Sequence, residues 1–356
     1  MAITIDNILL VLQKTLIHPI KSLLFAGAAI LFHNGILHAG IARKGDGIPS
    51  LRGTLVYISL GCVALSWTLH LNRALNRKAL NPSPAVPCDW PRELVVVTGG
   101  SGGIGEALVK RLESLSATVV ILDASPPTFK LDKRTHYFKT DVSSLENVLE
   151  AHTKIVARIG LPTILVANAG VLRAEPILDL PEDDIRATFN VNILGVVFCM
   201  KAFLPAMIKA DHGQVLVTSS VTAYSAAASV ACYSASKAAV SSLVEGLQTE
   251  LKHKHGNPRV KLSAVFPGPV RTKMFEKLDL PVNGFFMPYL EPAQVAERMC
   301  QILSKGESDM VMMPAASNVG PSLHAMSHWV RVAAQDMGAG ASNRLSESRG
   351  GIQSCW

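Results

Sequence analysis

Glu93-Leu94-Val95-Val96-Val97-Thr98-Gly99-Gly100-Ser101-Gly102-Gly103-Ile104-Gly105 passes from a β-branched apolar run directly into glycine. Its first six residues read as a buried strand, and Glu106 to Leu115 then repeats apolar residues at helical spacing. A strand, a glycine loop and a helix in that order make an anion site. Glycine lets the backbone turn tightly against a ligand, and the helix start offers unpaired N–H groups to a pyrophosphate. This reading gives Gly99, Ser101, Gly103, Ile104 and Gly105 to a dinucleotide, with the Ser101 hydroxyl on its phosphate. A second strand, Thr118 to Leu122, ends in Asp123, eighteen residues past Gly105. A carboxylate there accepts from both adenosine ribose hydroxyls and repels a 2′-phosphate, so NAD is expected ahead of NADP.

The same loop has a competing reading. Gly99-Gly100-Ser101-Gly102-Gly103 satisfies G-x-S-x-G between a strand and a helix, the setting of a serine hydrolase nucleophile, and His324 and His328 lie downstream. That fold places its nucleophile after several strands, whereas this loop follows the first. The hydrolase is therefore the remote alternative.

Farther along, Tyr233-Ser234-Ala235-Ser236-Lys237 puts a phenol and an ammonium four residues apart, with Ser220 thirteen residues upstream. On a helix starting near Ala231 the pair shares one face. A free phenol titrates near about 10, and a neighbouring cation favours the phenolate. Of the five tyrosines, only Tyr233 has a basic residue four positions on. Each residue alone has a structural reading: a serine ending a strand often forms a turn, and an asparagine in a helix often bonds local backbone. Their joint occurrence decides for chemistry.

Together these residues resemble the short-chain dehydrogenases/reductases over Trp90 to Pro314. The motifs, in order, are Thr98-Gly99-x-x-x-Gly103-Ile104-Gly105, Asp141-Val142, Asn168-Ala169-Gly170, Asn192-x-x-Gly195, Ser220, Tyr233-x-x-x-Lys237, and Pro267-Gly268 followed by Val270 and Thr272. The resemblance implies hydride transfer between an alcohol or carbonyl and a nicotinamide cofactor, with Asn192, Ser220, Tyr233 and Lys237 as the catalytic tetrad. Ser220 would bond the substrate oxygen and Tyr233 would move its proton. Lys237 would lower the phenol's pKa and bind the nicotinamide ribose, and Asn192 would hold a water leading to solvent. Cofactor contacts are implied for Asp141, Val142, Asn168, Ala169, Gly170, Tyr233, Lys237, Pro267, Gly268, Val270 and Thr272. Ala167 departs from the pattern, since many members carry asparagine there.

Apolar runs at 94–98, 118–122, 136–140, 163–167, 214–218, 259–265 and 309–313 alternate with helical stretches. This predicts one α/β domain over 90–314, a doubly wound, parallel, seven-stranded Rossmann sheet covered by helices on both faces. A C-terminal helix is expected within 315–337, and a disordered tail, rich in Gly, Ser and Arg, over 338–356.

The first 80 residues differ in composition. Leu23 to Ala42 is apolar apart from His33, Asn34 and His38, and Leu55 to Leu69 is a second apolar run, short for a span unless it continues through Leu71. A membrane-anchoring hairpin over 1–80 is the leading reading, with buried core helices as its alternative. Lys14 and Lys21 before the first run make a cleaved signal peptide the weaker reading. Ile5, Ile8, Leu9, Leu12, Leu16 and Ile17 recur at helical spacing, suited to a bilayer surface. Lys14, Lys21, Arg73, Arg77 and Lys78 flank the hairpin outside, against Arg43, Lys44 and Arg52 between its runs, which favours a catalytic domain facing the cytosol. Asn81 to Asp89 reads as a stiff Pro-rich linker.

The net charge of +7 comes from scattered basic residues with few aromatics among them, so an anionic membrane surface is expected rather than nucleic acid. Six cysteines without C-x-x-C spacing read as free thiols, and no ligand cluster predicts a metal. Between Thr272 and Glu291 stand Met274, Phe275, Leu278, Leu280, Phe285, Phe286, Met287, Tyr289 and Leu290. The family places a substrate lid there, and an apolar lid suits a lipophilic alcohol or ketone. With the anchor, the chain is similar to the membrane-associated retinol and hydroxysteroid dehydrogenase branch. That implies retinoid, steroid or long-chain alcohol substrates, a setting at the endoplasmic reticulum or a lipid droplet, and room for a homodimer. A non-catalytic nucleotide or lipid sensor of the same fold is the other class of reading.

Overall fold

A computed structural model describes residues 4–15, 17–33, 48–275 and 287–339. The expected tail and the lid residues Leu278, Leu280, Phe285 and Phe286 lie outside the described residues, apart from Gly338 and Ala339. The chain forms two compact units, Met1–Leu80 and Asn81–Trp356.

In the first unit, α1 (Ile5–Lys14) begins at Thr4, whose hydroxyl accepts from the Asn7 N–H. α2 (Pro19–His33) carries the first apolar run as far as His33, the rest of that run to Ala42 lying outside the described residues, and α3 (Ile48–Leu80) carries the second through 33 residues. At 1.5 Å per residue α3 is about 50 Å long, against a hydrocarbon layer of about 30 Å. From Thr54 to Leu80 it is long and apolar enough to cross a membrane. The packed faces of α2 and α3 are small: Ser22, Ala26 and Ala29 on one and Ser59 and Ser66 on the other are buried. Their outward faces carry Leu23, Leu24, Ile30, Tyr57, Ile58, Leu60, Leu65 and Trp67. This inverts the pattern of a helix in water, and small inward residues with large outward ones suit lipid. The inward hydroxyls are satisfied within the unit: Ser66 Oγ donates across to the Ile17 carbonyl at 2.7 Å and Ser59 Oγ to the Val56 carbonyl one turn back at 2.8 Å.

The second unit is built on seven parallel strands: β1 (Leu94–Thr98), β2 (Thr118–Asp123), β3 (Thr135–Lys139), β4 (Ile164–Ala167), β5 (Gly213–Thr218), β6 (Val260–Pro267) and β7 (Met310–Met313), in spatial order 3-2-1-4-5-6-7. Alternate strand residues feed two cores. Leu94, Val96, Val120 and Leu122 pack with α5 (Leu145–Arg158), α7 (Gly195–Ala210) and α8 (Ala231–His253) through Ile155, Phe203, Met207 and Val240. Val95, Val97, Val119 and Ile121 face α4 (Gly103–Ser114) and α9 (Pro292–Lys305) through Leu108, Leu112, Met299 and Leu303. Burial on both sides explains why the strands read as unbroken apolar runs. Ala167, where the family pattern varies, is buried at the end of β4 opposite Val217. The order reverses between β1 and β4, and a crevice opens there at the carboxyl ends of the strands. α6 (Glu182–Phe189) and α7 run together as an apolar stretch, but half of it is buried inside this unit.

The Pro-rich stretch is not a free spacer. The Asn81 amide donates to the Ser308 carbonyl at 3.0 Å and accepts from the Ser308 N–H at 2.7 Å. Lys261 Nζ, buried at the start of β6, donates to Ser83 O at 2.8 Å and Ser83 Oγ at 2.9 Å. Val86 N–H reaches the Gly306 carbonyl at 3.1 Å. Prolines remove donors from this stretch, and the groups that remain find partners on the sheet's amino-terminal end. After Val319 the expected C-terminal helix is two pieces, α10 (Gly320–Leu323) and α11 (His328–Ala339).

Candidate active site

The crevice is a cleft of about 1060 Å³ bounded by the β1–α4 loop, the ends of β2, β4 and β5, the start of α8, and the segment after β6. Gly105 explains the loop's composition: a Cβ there would lie 2.0 Å from the Gly99 carbonyl oxygen. Gly103 turns the chain into α4 with φ +57°, a left-handed conformation that side chains disfavour. The loop thus folds flat on itself and leaves the α4 start open to the cleft, where Arg271 and Lys273 also line the wall. This cradle fits a pyrophosphate.

Asp123 ends β2 with both carboxylate oxygens engaged. One accepts from Ser101 N–H and the other from Ser125 N–H, each at 3.0 Å. Ser101 Oγ donates to the Ser125 carbonyl at 2.7 Å, so its hydroxyl is turned to a neighbouring loop rather than held free for phosphate. This engagement also removes it as a hydrolase nucleophile. His324, the proposed downstream partner, sits instead with its ring nitrogen 3.0 Å from the Tyr224 carbonyl oxygen.

At the other end of the cleft, α8 brings Tyr233 and Lys237 to one buried face. Ser220 caps a short 3₁₀ turn after β5, and its hydroxyl donates to the Pro267 carbonyl at 3.4 Å. Lys237 Nζ donates to the Thr218 carbonyl at 2.9 Å. Burial pushes the phenol up to about 12, with the Ser220 hydroxyl pulling the other way. Burial pushes the Lys237 ammonium down to about 8. The lowering expected from Lys237 is not among the causes of the phenol's shift: desolvation dominates it, and Ser220 is the group that opposes it.

Asn192, expected in a regular helix, lies in a π-type turn, Asn190–Leu194, between α6 and α7. Its amide accepts from Val171 N–H at 2.8 Å and donates to the Val171 carbonyl at 2.9 Å, which pins the turn to the segment after β4. A Cβ on Gly170 would be 3.3 Å from Asn192 Oδ1 and 3.5 Å from Lys237 Nζ, so the two groups flank the same backbone.

A family profile described as short chain dehydrogenase matches residues 93–282, more than half of the chain. The chain belongs to the short-chain dehydrogenase family. Dehydrogenase RED2 of Cochliobolus heterostrophus is 34% identical to this short-chain dehydrogenase over 242 residues, 67% of this chain and 91% of the relative. Human epidermal retinol dehydrogenase 2 is 29% identical over 222 residues, 59% of this chain and 71% of that one. Among solved structures, a Burkholderia cenocepacia short chain dehydrogenase in complex with NADP superposes with a TM-score of 0.57 at 27% identity, covering 68% of this chain and 96% of that one. This short-chain dehydrogenase is therefore an NAD(P)-dependent oxidoreductase acting on alcohols.

Of the residues singled out from sequence, Gly99, Ser101, Gly103, Ile104, Asp123, Asp141, Val142, Asn168, Ala169, Gly170, Tyr233, Lys237, Pro267, Gly268, Val270 and Thr272 line the cleft. Gly105 lies beneath the loop, Asn192 is buried behind Gly170, and Ser220 is buried next to Ser219 of the cleft wall without lining it. Met274 and Phe275 of the expected lid line the wall, and Leu290 packs instead in the core beside Val270.

Sequence reasoning missed several supports. Thr98 Oγ1 accepts from the Asn168 and Ala169 N–H groups, both at 2.9 Å, and Thr218 Oγ1 donates to Asn168 Oδ1 at 3.1 Å. Ser236 Oγ accepts from Asn192 Nδ2 at 3.0 Å and donates to the Tyr233 carbonyl at 2.6 Å, tying the π turn to α8. Its position one residue before Lys237 was the available signal.

Proposed function

We propose that this enzyme is anchored in a membrane by residues 1–80 and interconverts a lipophilic alcohol with its ketone or aldehyde, the alcohol being a retinoid, steroid or long-chain alcohol. The observation that carries the chemistry is the buried Tyr233 phenol at the cleft with Lys237 on the same helix face, its Nζ 5.7 Å from the ring centre. A bound nicotinamide dinucleotide supplies the hydride acceptor for oxidation and the donor for reduction. The loop from Gly99 to Gly105, the segments at Asp141, Asn168 and Pro267, and Thr272 are its holding residues. Tyr233 takes the proton of the substrate hydroxyl in oxidation and returns it in reduction. Ser220 donates to the same substrate oxygen and stabilises the negative charge that develops there. The Lys237 ammonium favours the phenolate, and Asn192 fixes the turn beside it, where water carries the proton out.

NAD is the preferred cofactor on this reading because the Asp123 carboxylate faces the cleft and repels a 2′-phosphate. A lipophilic substrate is supported by Met274 and Phe275 on the cleft wall and by the retinol dehydrogenase among the relatives. The membrane reading is supported by the outward apolar faces of α2 and α3. Five basic residues outside the hairpin against three between its runs favour a cytosolic catalytic domain, at the endoplasmic reticulum or a lipid droplet.

The test is a screen of the purified, detergent-solubilised chain against retinoids, sterols and fatty alcohols, read as NADH formation. Turnover is expected in one of these classes and falls by roughly 10²- to 10⁴-fold in Tyr233→Phe while nucleotide still binds. Nucleotide binding without oxidation of any alcohol in the panel would count against the reading. Full release from membranes by alkaline carbonate would remove the anchor from it.

A further inference from the structure

We infer that Thr222 is a positioning residue that makes Ser220 a one-way hydrogen-bond donor toward the reacting oxygen; this rests on the assignment of Ser220 and Tyr233 above. Ser220 ends the segment after β5 in extended backbone, φ −159° and ψ 156°, and the chain then turns through Val221–Ala223. The turn brings Thr222 back onto the serine twice. Its N–H donates to Ser220 Oγ at 3.2 Å and its own hydroxyl donates to the same oxygen at 3.0 Å.

A serine hydroxyl has two lone pairs and one hydrogen. With two donors from Thr222 on the oxygen, its accepting capacity is filled and its hydrogen is what it has left to offer. The acceptor the protein offers that hydrogen is a weak one: the Pro267 carbonyl stands at 3.4 Å, a long contact that a closer oxygen displaces. A substrate oxygen that meets Tyr233 therefore meets Ser220 as a donor. That polarity is the one required when the oxygen becomes an alkoxide on either side of the reaction, and two donors onto Ser220 Oγ strengthen the bond it gives. Freed from the Thr222 hydroxyl, Ser220 can rotate and accept from the phenol instead, which holds the proton on Tyr233.

Thr222→Val keeps the branched shape and the backbone N–H and removes one donor. The expected result is a fall in kcat of about tenfold, the size of one lost hydrogen bond at a developing charge. The ascending limb of kcat/KM against pH in alcohol oxidation should also move to higher pH, by about half a unit. Nucleotide affinity by direct titration stays unchanged, and Thr222→Ser restores both rate and pH limb. If the valine variant melts early, Thr222→Ala against Thr222→Ser makes the same comparison. Ser220→Ala is run alongside. An inactive Ser220→Ala with wild-type rate and pH limb in Thr222→Val overturns this inference alone, whereas a fully active Ser220→Ala overturns the assignment of Ser220 on which it stands.

Discussion

Lys237 Nζ lies 5.7 Å from the centre of the Tyr233 ring and gives its hydrogen bond to the Thr218 carbonyl, 2.9 Å away. The ammonium is thus aimed by β5 and stands over the phenol ring. With Tyr233 raised to about 12, its phenolate fraction grows about tenfold per pH unit through the neutral and mildly alkaline range. Alcohol oxidation, which uses the phenolate, should climb from pH 7 to 8.

Carbonyl reduction uses the phenol, which stays protonated over that interval, and should be nearly flat. Above about 8 Lys237 loses its charge, so the oxidative climb should become shallower there. Initial rates in both directions at constant ionic strength check this. An oxidative rate that is level across pH 7 to 8 would contradict it. Tyr233→Phe should lower both directions by roughly 10²- to 10⁴-fold.

The β1–α4 loop separates folding from binding. At Gly105 an added methyl meets the Gly99 carbonyl oxygen at 2.0 Å, so Gly105→Ala should break the loop and lower both melting temperature and nucleotide affinity. At Gly102 an added methyl finds nothing within 4 Å, and φ −162° is extended backbone open to any residue. Gly102→Ala should melt with the parent chain and yet bind nucleotide more weakly, because it lines the cleft where the pyrophosphate must approach. Thermal unfolding with and without NADH separates the two outcomes.

Much of this was readable in advance for a definite reason. Strands such as Val95-Val96-Val97 and Val119-Val120-Ile121 are apolar at consecutive positions because α4 and α9 cover one face and α5, α7 and α8 the other. Tyr233 and Lys237 were legible because an i, i+4 pair carries its own geometry. Asn192 was legible as a residue but not as a π turn, since one inserted residue between α6 and α7 leaves the apolar pattern almost unchanged. The length of α3 was underread for a related reason. Hydropathy falls after Leu71, yet Arg73, Ala74, Leu75 and Arg77 are strong helix formers and carry the helix to Leu80. The staple on Asn81 and Ser83 depends on Ser308 and Lys261, far away in sequence, and no local pattern reports such partners.

Asp123 gives a cofactor prediction with a built-in complication. Its carboxylate binds Ser101 and Ser125 backbone N–H groups, so Asp123→Ala removes a charge and also loosens two loops. Asp123→Asn removes the charge and keeps one acceptor oxygen. If repulsion of a 2′-phosphate is what favours NAD, both variants should narrow the ratio of NADP to NAD dissociation constants, and the asparagine variant should keep the higher melting temperature. Calorimetric titration with each nucleotide measures the ratio. Equal affinities in the unmutated chain would remove the premise.

Lys261 and Ser83 give the last prediction. Lys261 is buried at 2% exposure with its ammonium bonded to the carbonyl and hydroxyl of Ser83. Ser83→Ala leaves that ammonium with one acceptor fewer in a dry site, where a hydrogen bond to a charged group is worth about 1.5–3 kcal/mol. Lys261→Met removes the buried charge together with the bond, and the relief from desolvation offsets part of the loss. Ser83→Ala should therefore destabilise more than Lys261→Met, and the double variant should fall close to the methionine variant alone. Amide exchange supplies the local readout: the Val86 N–H, bonded to the Gly306 carbonyl, should exchange faster in Ser83→Ala while β1 amides keep their protection. Unchanged exchange at Val86 with unchanged melting would mean that Lys261 does not hold this segment to the sheet.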